Sequence, residues 1–159
     1  MTPARAVHPA SVPARQVASG VMPARLESVP AMRRFVRSAT CQWGLPETAD
    51  EALALVVSEL VSNAVLHSGS TDVEVTVGLT GTTLIVRVRD HGHWPAQSAT
   101  RRPREEDGAC FGRGLRLVAA YADRTWTTCT EAGTTAAAEL DLPAPAEPVS
   151  ALVGTGPRT

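Results

Sequence analysis

Residues 48–90 decide the fold, because their hydrophobic period changes from helical to extended partway along the stretch TADEALALVVSELVSNAVLHSGSTDVEVTVGLTGTTLIVRVRD. Apolar residues recur at steps of three and four over residues 48–67, which predicts one long amphipathic helix. Thr48 and Glu51 have the spacing of a capping box, so Thr48 is the predicted N-cap. The small residues at 68–70 are predicted to end the helix.

Two strands follow this helix. Over residues 72–79 valine and leucine alternate with polar residues, and the same alternation resumes over residues 83–90 after a Thr-Gly-Thr turn. A period of two is typical of a strand with one buried face. These residues therefore predict an antiparallel hairpin.

The remaining elements surround this helix and hairpin. We expect a helix over residues 26–42, an irregular segment over 91–111, a helix over 114–123, and a final hairpin joining 125–130 to 134–142. Strands that arrive as hairpins, with helices between them, favour an α+β two-layer sandwich. Its sheet is predicted to be mixed but mostly antiparallel, with the helices packed on one face.

The chain of 159 residues is predicted to hold one domain, at residues 25–142. Residues 1–24 and 143–159 are rich in proline and alanine without a hydrophobic period, so we expect poorly ordered tails. The N-terminal tail is expected to end in an edge strand near Val17 to Met22.

The composition excludes several classes of protein. A net charge of −1 removes the usual electrostatic reason to expect nucleic acid or an anionic membrane as a partner. No apolar run approaches the roughly 20 residues that span a bilayer. The three cysteines form no CxxC pair, which indicates neither disulfides nor a zinc ribbon and suits a reducing cytoplasm.

Glu59, Asn63 and His67 form a polar stripe along the edge of the long helix's apolar face, because they lie four residues apart. Burying a carboxylate or an amide without a partner costs about 1–3 kcal/mol. A bound cation with its phosphates would supply partners. Local hydrogen bonds on a half-exposed helix would supply them as well.

Two further motifs indicate a small-molecule site. Asp90-His91-Gly92 stands where a strand ends, so its carboxylate can accept a hydrogen bond from an exocyclic amine and its glycine admits a flat ring. Gly112-Arg113-Gly114 opens a helix, whose unpaired N–H groups attract anions. Taken singly, both are also ordinary turn sequences.

Together these motifs resemble the N, G1 and G2 boxes of the ATPase superfamily of Hsp90, type II topoisomerases, MutL and histidine kinases. The matching residues are 59–67 (ELVSNAVLH), 90–95 (DHGHWP) and 112–118 (GRGLRLV). The single-domain size is similar to that of the bacterial anti-sigma factor serine kinases. Gly133-Thr134-Thr135 matches their last strand.

The resemblance implies a site for ATP and Mg²⁺ with a role for each matching residue. Glu59 would be the general base, and Asn63 would ligate Mg²⁺ through its amide oxygen. Asp90 would read the adenine amino group with help from Gly92 and Thr135.

The phosphates would lie against the backbone of residues 112–115, under a lid at residues 96–111. The four residues that would hold the phosphates are Gly112, Arg113, Gly114 and Leu115. His67 would contact a phosphate or, alternatively, the C-terminal end of its own helix dipole.

The resemblance also implies a function. The chain would be an anti-sigma-type protein serine/threonine kinase that transfers the γ-phosphate of ATP to a serine of an antagonist protein, with a sigma factor as a further partner. The alternatives are an ATP-gated protein-binding module without phosphoryl transfer and a stand-alone ATPase. A homodimer is a further expectation.

Four histidine and cysteine residues, at positions 67, 91, 93 and 110, match no standard zinc spacing, so no zinc site is expected. Three positions depart from the family pattern. His93 replaces a glycine, Thr134 a lysine, and Ala137 a tryptophan, the last of which is expected to weaken the final strand.

Overall fold

The computed structural model describes residues 16–92 and 111–143, and only the backbone of residues 111–115. In chain order the elements are β1 (Gln16–Pro23), α1 (Ser28–Gln42), α2 (Glu47–His67), β2 (Asp72–Thr80), β3 (Thr83–Asp90), α3 (Phe111–Tyr121), β4 (Arg124–Thr130) and β5 (Gly133–Asp141). The rest of both predicted tails and most of the predicted lid lie outside these described residues. No helix in the described ranges is long and apolar enough to cross a membrane.

The five strands form one open sheet in the order β1-β2-β3-β5-β4. Each neighbouring pair is antiparallel, so the described sheet contains no parallel pair. The helices pack on one face, with α2 between α1 and α3. The predicted α+β class and helix layer are thus confirmed, and the stretch expected to form an edge strand is β1.

The core lies between α2 and the central strands. In β2 and β3 the alternate residues that face α2 are fully or almost fully buried, namely Val73, Val75, Val77, Leu84, Val86 and Val88. On α2 the buried residues follow the predicted helical period, and they include Leu53, Val56, Val57, Leu60, Val61 and Ala64. Asp90 continues the inward alternation of β3, which takes a carboxylate to the end of the core.

The predicted start of α2 is wrong. Its N-cap is Pro46, and no side chain caps the helix. Pro46 is extended, with φ −66° and ψ 149°, and its carbonyl accepts hydrogen bonds from the N–H groups of Ala49 and Asp50. Because the proline ring fixes φ, the turn is set before Thr48, which lies inside the helix.

Two other helix boundaries differ from the prediction. α1 begins at Ser28 instead of Leu26. α3 runs from Phe111 to Tyr121, so Gly112 and Gly114 are helical and do not precede the helix. β5 forms over Gly133–Asp141 with Ala137 in it, and it pairs with a neighbour along both sides, with Ala137 buried.

Polar contacts hold α1 against α2. Asp50 accepts hydrogen bonds from Arg37 Nε at 2.6 Å and from the Thr40 hydroxyl at 3.1 Å. Nearer the middle of α2, Arg33 donates to the Ser58 hydroxyl at 3.3 Å. These contacts identify the side of α2 that faces α1.

Candidate functional site

The polar stripe of α2 lies on the side away from α1. Glu59, Asn63 and His67 are each half-buried. At about 100° per residue, Asn63 lies about 140° and His67 about 180° around the helix from Ser58, which contacts α1. Because α2 lies between α1 and α3, the stripe faces the α3 side.

Glu59 and Asn63 have no hydrogen-bond or ion-pair partner among the described residues. A half-buried carboxylate and amide without partners in this part of the chain fit a site that a ligand completes, since each would otherwise be partly desolvated without compensation. Their oxygen atoms are hard donors, the type that Mg²⁺ prefers. This donor set therefore fits the expected ATP and Mg²⁺.

His67 is the last residue of α2. Desolvation by burial lowers the pKa of its imidazole below the usual 6.5. The neutral form therefore predominates at pH 7. In either expected role, contact with a phosphate or interaction with the end of its helix dipole, His67 would then act as an uncharged ring.

Asp90 ends β3 on the helix-facing side of the sheet and is 1% exposed. The N–H of Gly92 donates a hydrogen bond to its Oδ1 at 3.0 Å. In the register of the sheet Asp90 lies opposite Val73 of β2 and Thr134 of β5. The carboxylate is therefore held at the end of a central strand.

Two glycines allow the chain to pass close to this carboxylate. A Cβ on Gly92 would lie 1.8 Å from the carbonyl oxygen of Ser68, just beyond the end of α2. A Cβ on Gly133 would lie 2.0 Å from the carbonyl oxygen of Asp90. Gly92 was expected to make room for a ligand ring. The structure gives a further reason for a glycine at this position, because the contact between Gly92 and Ser68 joins the end of β3 to the end of α2.

Ser70 is a positioning residue that the sequence analysis missed. Its hydroxyl accepts a hydrogen bond from the N–H of His91 at 3.1 Å and donates one to the carbonyl of Asp72 at 2.7 Å. The His91 ring lies 3.3 Å, Nδ1 to oxygen, from the carbonyl of Ala132. In the sequence analysis Ser70 was interpreted only as one of the small residues that end α2. No local pattern predicts its hydrogen bond with the N–H of His91.

The register does not support the expected pairing of Asp90 with Thr135. Thr135 lies opposite Arg89, one residue before Asp90, so the two side chains point to the other face of the sheet. Thr134 lies opposite Asp90 and is 2% exposed. The hydroxyl on the face of Asp90 therefore belongs to Thr134.

The remaining predicted residues are described only in part. Gly112, Arg113, Gly114 and Leu115 lie in the first turns of α3, the helix that packs against α2. His93, Cys110 and residues 96–110 of the predicted lid lie outside the described residues. Within the described ranges no group of three His, Cys, Asp or Glu side chains could hold a metal ion.

Comparisons with known proteins agree with this architecture. The structure is similar to the RsbU and RsbW domains of Rv1364c from Mycobacterium tuberculosis, with a TM-score of 0.63 and 22% identity. The match covers 80% of this chain and 33% of that one, so this chain spans about a third of that protein's length.

A histidine kinase domain of a blue-light activated kinase from Erythrobacter litoralis matches at a TM-score of 0.45 and 22% identity, over 62% of this chain and 46% of that one. No curated protein matches the sequence. The model of the histidine kinase-like ATPase domain family matches residues 22–139. That range is most of the chain and contains Glu59, Asn63 and Asp90, so this protein belongs to the histidine kinase-like ATPase domain family.

Proposed function

We propose that this protein binds ATP with Mg²⁺ between α2 and α3 and acts as an anti-sigma-type protein serine/threonine kinase. The observation that carries the proposal is a chain of contacts that links the end of α2, the helix that carries Asn63, to Asp90. Asn63 lies five residues, about 7.5 Å, before Ser68 along α2. Ser68 abuts Gly92, whose N–H is bonded to Asp90. The C-terminal end of α2, about 7.5 Å beyond Asn63, is thus fixed to the strand end that carries the buried carboxylate of Asp90.

The nucleotide base would be bound at the sheet. Asp90 would accept a hydrogen bond from the adenine amino group, and Thr134 would supply the neighbouring hydroxyl on the same face of the sheet. This assignment replaces Thr135 of the sequence-based expectation. Gly92 keeps the carboxylate in position through its N–H and its contact with Ser68.

The phosphates would be bound between the two helices. Asn63 would hold Mg²⁺ through its amide oxygen, and the ion when bound would offset the negative charge of the phosphates. The backbone N–H groups of Gly112 and Arg113, in the unpaired first turn of α3, would face the phosphates, whereas those of Gly114 and Leu115 are paired within the helix. His67 would add a hydrogen bond from a neutral imidazole.

Glu59 would act as the general base. It lies one turn before Asn63 on the same side of α2, and its carboxylate has no partner among the described residues. A carboxylate in this position suits acceptance of a proton from an attacking serine hydroxyl. The proposed substrate is a serine of an antagonist protein, and a sigma factor is the proposed second partner, in the cytoplasm.

The partner assignment rests on the resemblance to anti-sigma factor serine kinases and on the likeness to a structure that includes an RsbW domain. The test uses γ-labelled ATP, Mg²⁺ and a candidate antagonist encoded in the same gene neighbourhood. The proposal expects labelled phosphoserine on the antagonist. Glu59→Gln should bind nucleotide and transfer no phosphate, whereas the control Glu51→Gln, on the exposed side of α2, should transfer normally.

Two results would replace the kinase assignment. Nucleotide-dependent association with the antagonist, without phosphoserine, would identify an ATP-gated binding module. Release of inorganic phosphate without any antagonist, and no transfer in its presence, would identify a stand-alone ATPase.

A further inference from the structure

The face of the sheet that points away from the helices carries two arginines whose charges no described residue pairs. Val86 and Val88 of β3 are buried toward α2. Arg87 and Arg89 alternate with these valines, so they point to the open face, and both are exposed. Neither guanidinium has a hydrogen bond or an ion pair with a described residue. β3 is the middle strand of the described sheet, so the two arginines lie at the centre of its open face.

Among the described residues of this face, the two arginines are the exception. Glu74 lies opposite Arg89 in the register, but its carboxylate accepts a hydrogen bond from Ser19 of β1 at 3.2 Å, on the side away from β3. The other charged side chains of the face have partners within the protein. They are Asp72, Glu74, Arg124, Glu139 and Asp141.

An aromatic side chain lies in the same row as one of the arginines. Ala137 of β5 lies opposite Arg87 on one side and opposite Trp126 of β4 on the other. Ala137 is only 1% exposed although no described helix lies on its face, so its neighbours in the row cover it. Trp126 is accordingly half-buried, whereas Arg87 stays exposed. The row thus presents an indole and a guanidinium whose strands are about 10 Å apart, which is two strand spacings.

We propose that this open-face patch, formed by Arg87, Arg89, Ala137 and Trp126, docks an acidic segment of a partner protein. The two arginines are two residues apart on one strand, so their Cα atoms are separated by about 7 Å. Carboxylates on alternate residues of an extended segment have the same spacing. Each can therefore pair with one guanidinium in the bidentate geometry that arginine favours. Apolar atoms of the segment pack on Trp126, and arginine and tryptophan are enriched at the energetic centres of interfaces.

The charges around the patch favour a short acidic segment over a nucleic acid. Glu74 of β2 and Glu139 of β5 lie on the two strands that flank β3. A phosphate backbone that crossed the sheet would meet these carboxylates, whereas two side-chain carboxylates can contact the arginines alone. The patch lies on the face opposite to Asp90. A partner here leaves the proposed nucleotide site free, and the patch does not depend on the proposed function.

The test measures binding of a fluorescein-labelled peptide, in which glutamate alternates with threonine, to the full chain by fluorescence anisotropy. The control ligand has glutamine in place of glutamate. The wild type should bind the glutamate peptide at least about tenfold more tightly than the control ligand, and added salt should reduce this difference. Arg87→Gln combined with Arg89→Gln should abolish it. Arg34→Gln combined with Arg124→Gln is the matched control and should keep it, because the same charge is removed from an exposed helix residue and from an arginine that is already paired.

Trp126 gives a readout that a general attraction between charges would not change. Binding of the unlabelled glutamate peptide should alter the tryptophan fluorescence of the wild type, and this change should be absent in Trp126→Phe. Circular dichroism of each variant shows whether the fold is kept.

The proposal is overturned if the wild type binds both peptides equally up to about 1 mM, or if the control variant loses as much binding as the variant of Arg87 and Arg89. A labelled single-stranded oligonucleotide that binds the wild type more tightly than the glutamate peptide does would overturn it in favour of a nucleic acid. It is also overturned if the peptide binds only after Glu105, Glu106 and Asp107 are replaced by their amides, because the chain's own acidic segment would then occupy the patch.

Discussion

Gly92→Ala would place a methyl group against the end of α2. The new Cβ would lie 1.8 Å from the carbonyl oxygen of Ser68 and 2.4 Å from its carbonyl carbon. Contacts of a Cβ under 3.0 Å are essentially never observed, and both atoms belong to the backbone. The end of β3 must therefore move away from α2 by about 1 Å or more, and Asp90 must move with it.

Overpacking of this kind costs about 1–3 kcal/mol, and a backbone clash belongs at the upper end. A loss of about 3 kcal/mol is a large share of the roughly 5–15 kcal/mol that stabilises a domain. It should lower the melting temperature by about 10 °C. Gly81→Ala is a matched control, because Gly81 has φ +60° and no atom within 4 Å of the added Cβ. In Gly81→Ala the free energy of unfolding should fall only by the cost of holding an alanine in the left-handed conformation, about 1–2 kcal/mol.

The assay is urea denaturation of both variants followed by circular dichroism, with midpoint and slope fitted separately. Gly92→Ala should lose at least about 1 kcal/mol more than Gly81→Ala. If the two variants lose the same stability, the contact between Gly92 and Ser68 does not constrain the fold, and the reasoning about how Asp90 is positioned fails.

Three further predictions concern titration, helix packing and the sheet register. Burial lowers the pKa of His67 in the folded state, so the unfolded state binds the proton more readily and the free energy of unfolding should fall as the pH drops below about 6.5. In His67→Gln the urea midpoint should therefore change less between pH 7 and pH 5 than in the wild type. Asp50→Ala removes the acceptor of two α1 side chains and should cost about 1 kcal/mol in the same assay, while an unchanged midpoint would contradict the role of these bonds. Thr134→Val should weaken ATP binding about tenfold in calorimetry, the effect of roughly 1.4 kcal/mol; a larger loss in Thr135→Val would contradict the register argument.

Much of the fold could be predicted from local periodicity. Alternation along β2 and β3 identifies the buried side because a strand has a period of two, so Val75 and Val86 are assigned to the core without any tertiary information. The helical period of α2 likewise places Glu59 and Asn63 at the rim of its apolar face. Both predictions depend on neighbours within one element.

Features that depend on distant parts of the chain could not be predicted. Gly92 resembles an ordinary turn glycine until Ser68 is found against it, and the role of Ser70 depends on the N–H of His91. The choice between Thr134 and Thr135 is a one-residue question of strand register, which the pairing of β5 with β3 decides. At the start of α2 two local signals competed, and Pro46 took the N-cap position that Thr48 was expected to hold.

The central claim is that Asn63 and Asp90 belong to one site for ATP and Mg²⁺. The most direct test is calorimetric titration of ATP into the wild type and Asn63→Ala, each with and without Mg²⁺. The wild type should bind ATP at least about tenfold more tightly with Mg²⁺, the effect of about 1.4 kcal/mol, and Asn63→Ala should show no such gain. An equal gain from Mg²⁺ in both proteins, with the variant folded, would contradict the assignment of α2 as the metal-binding side of the site.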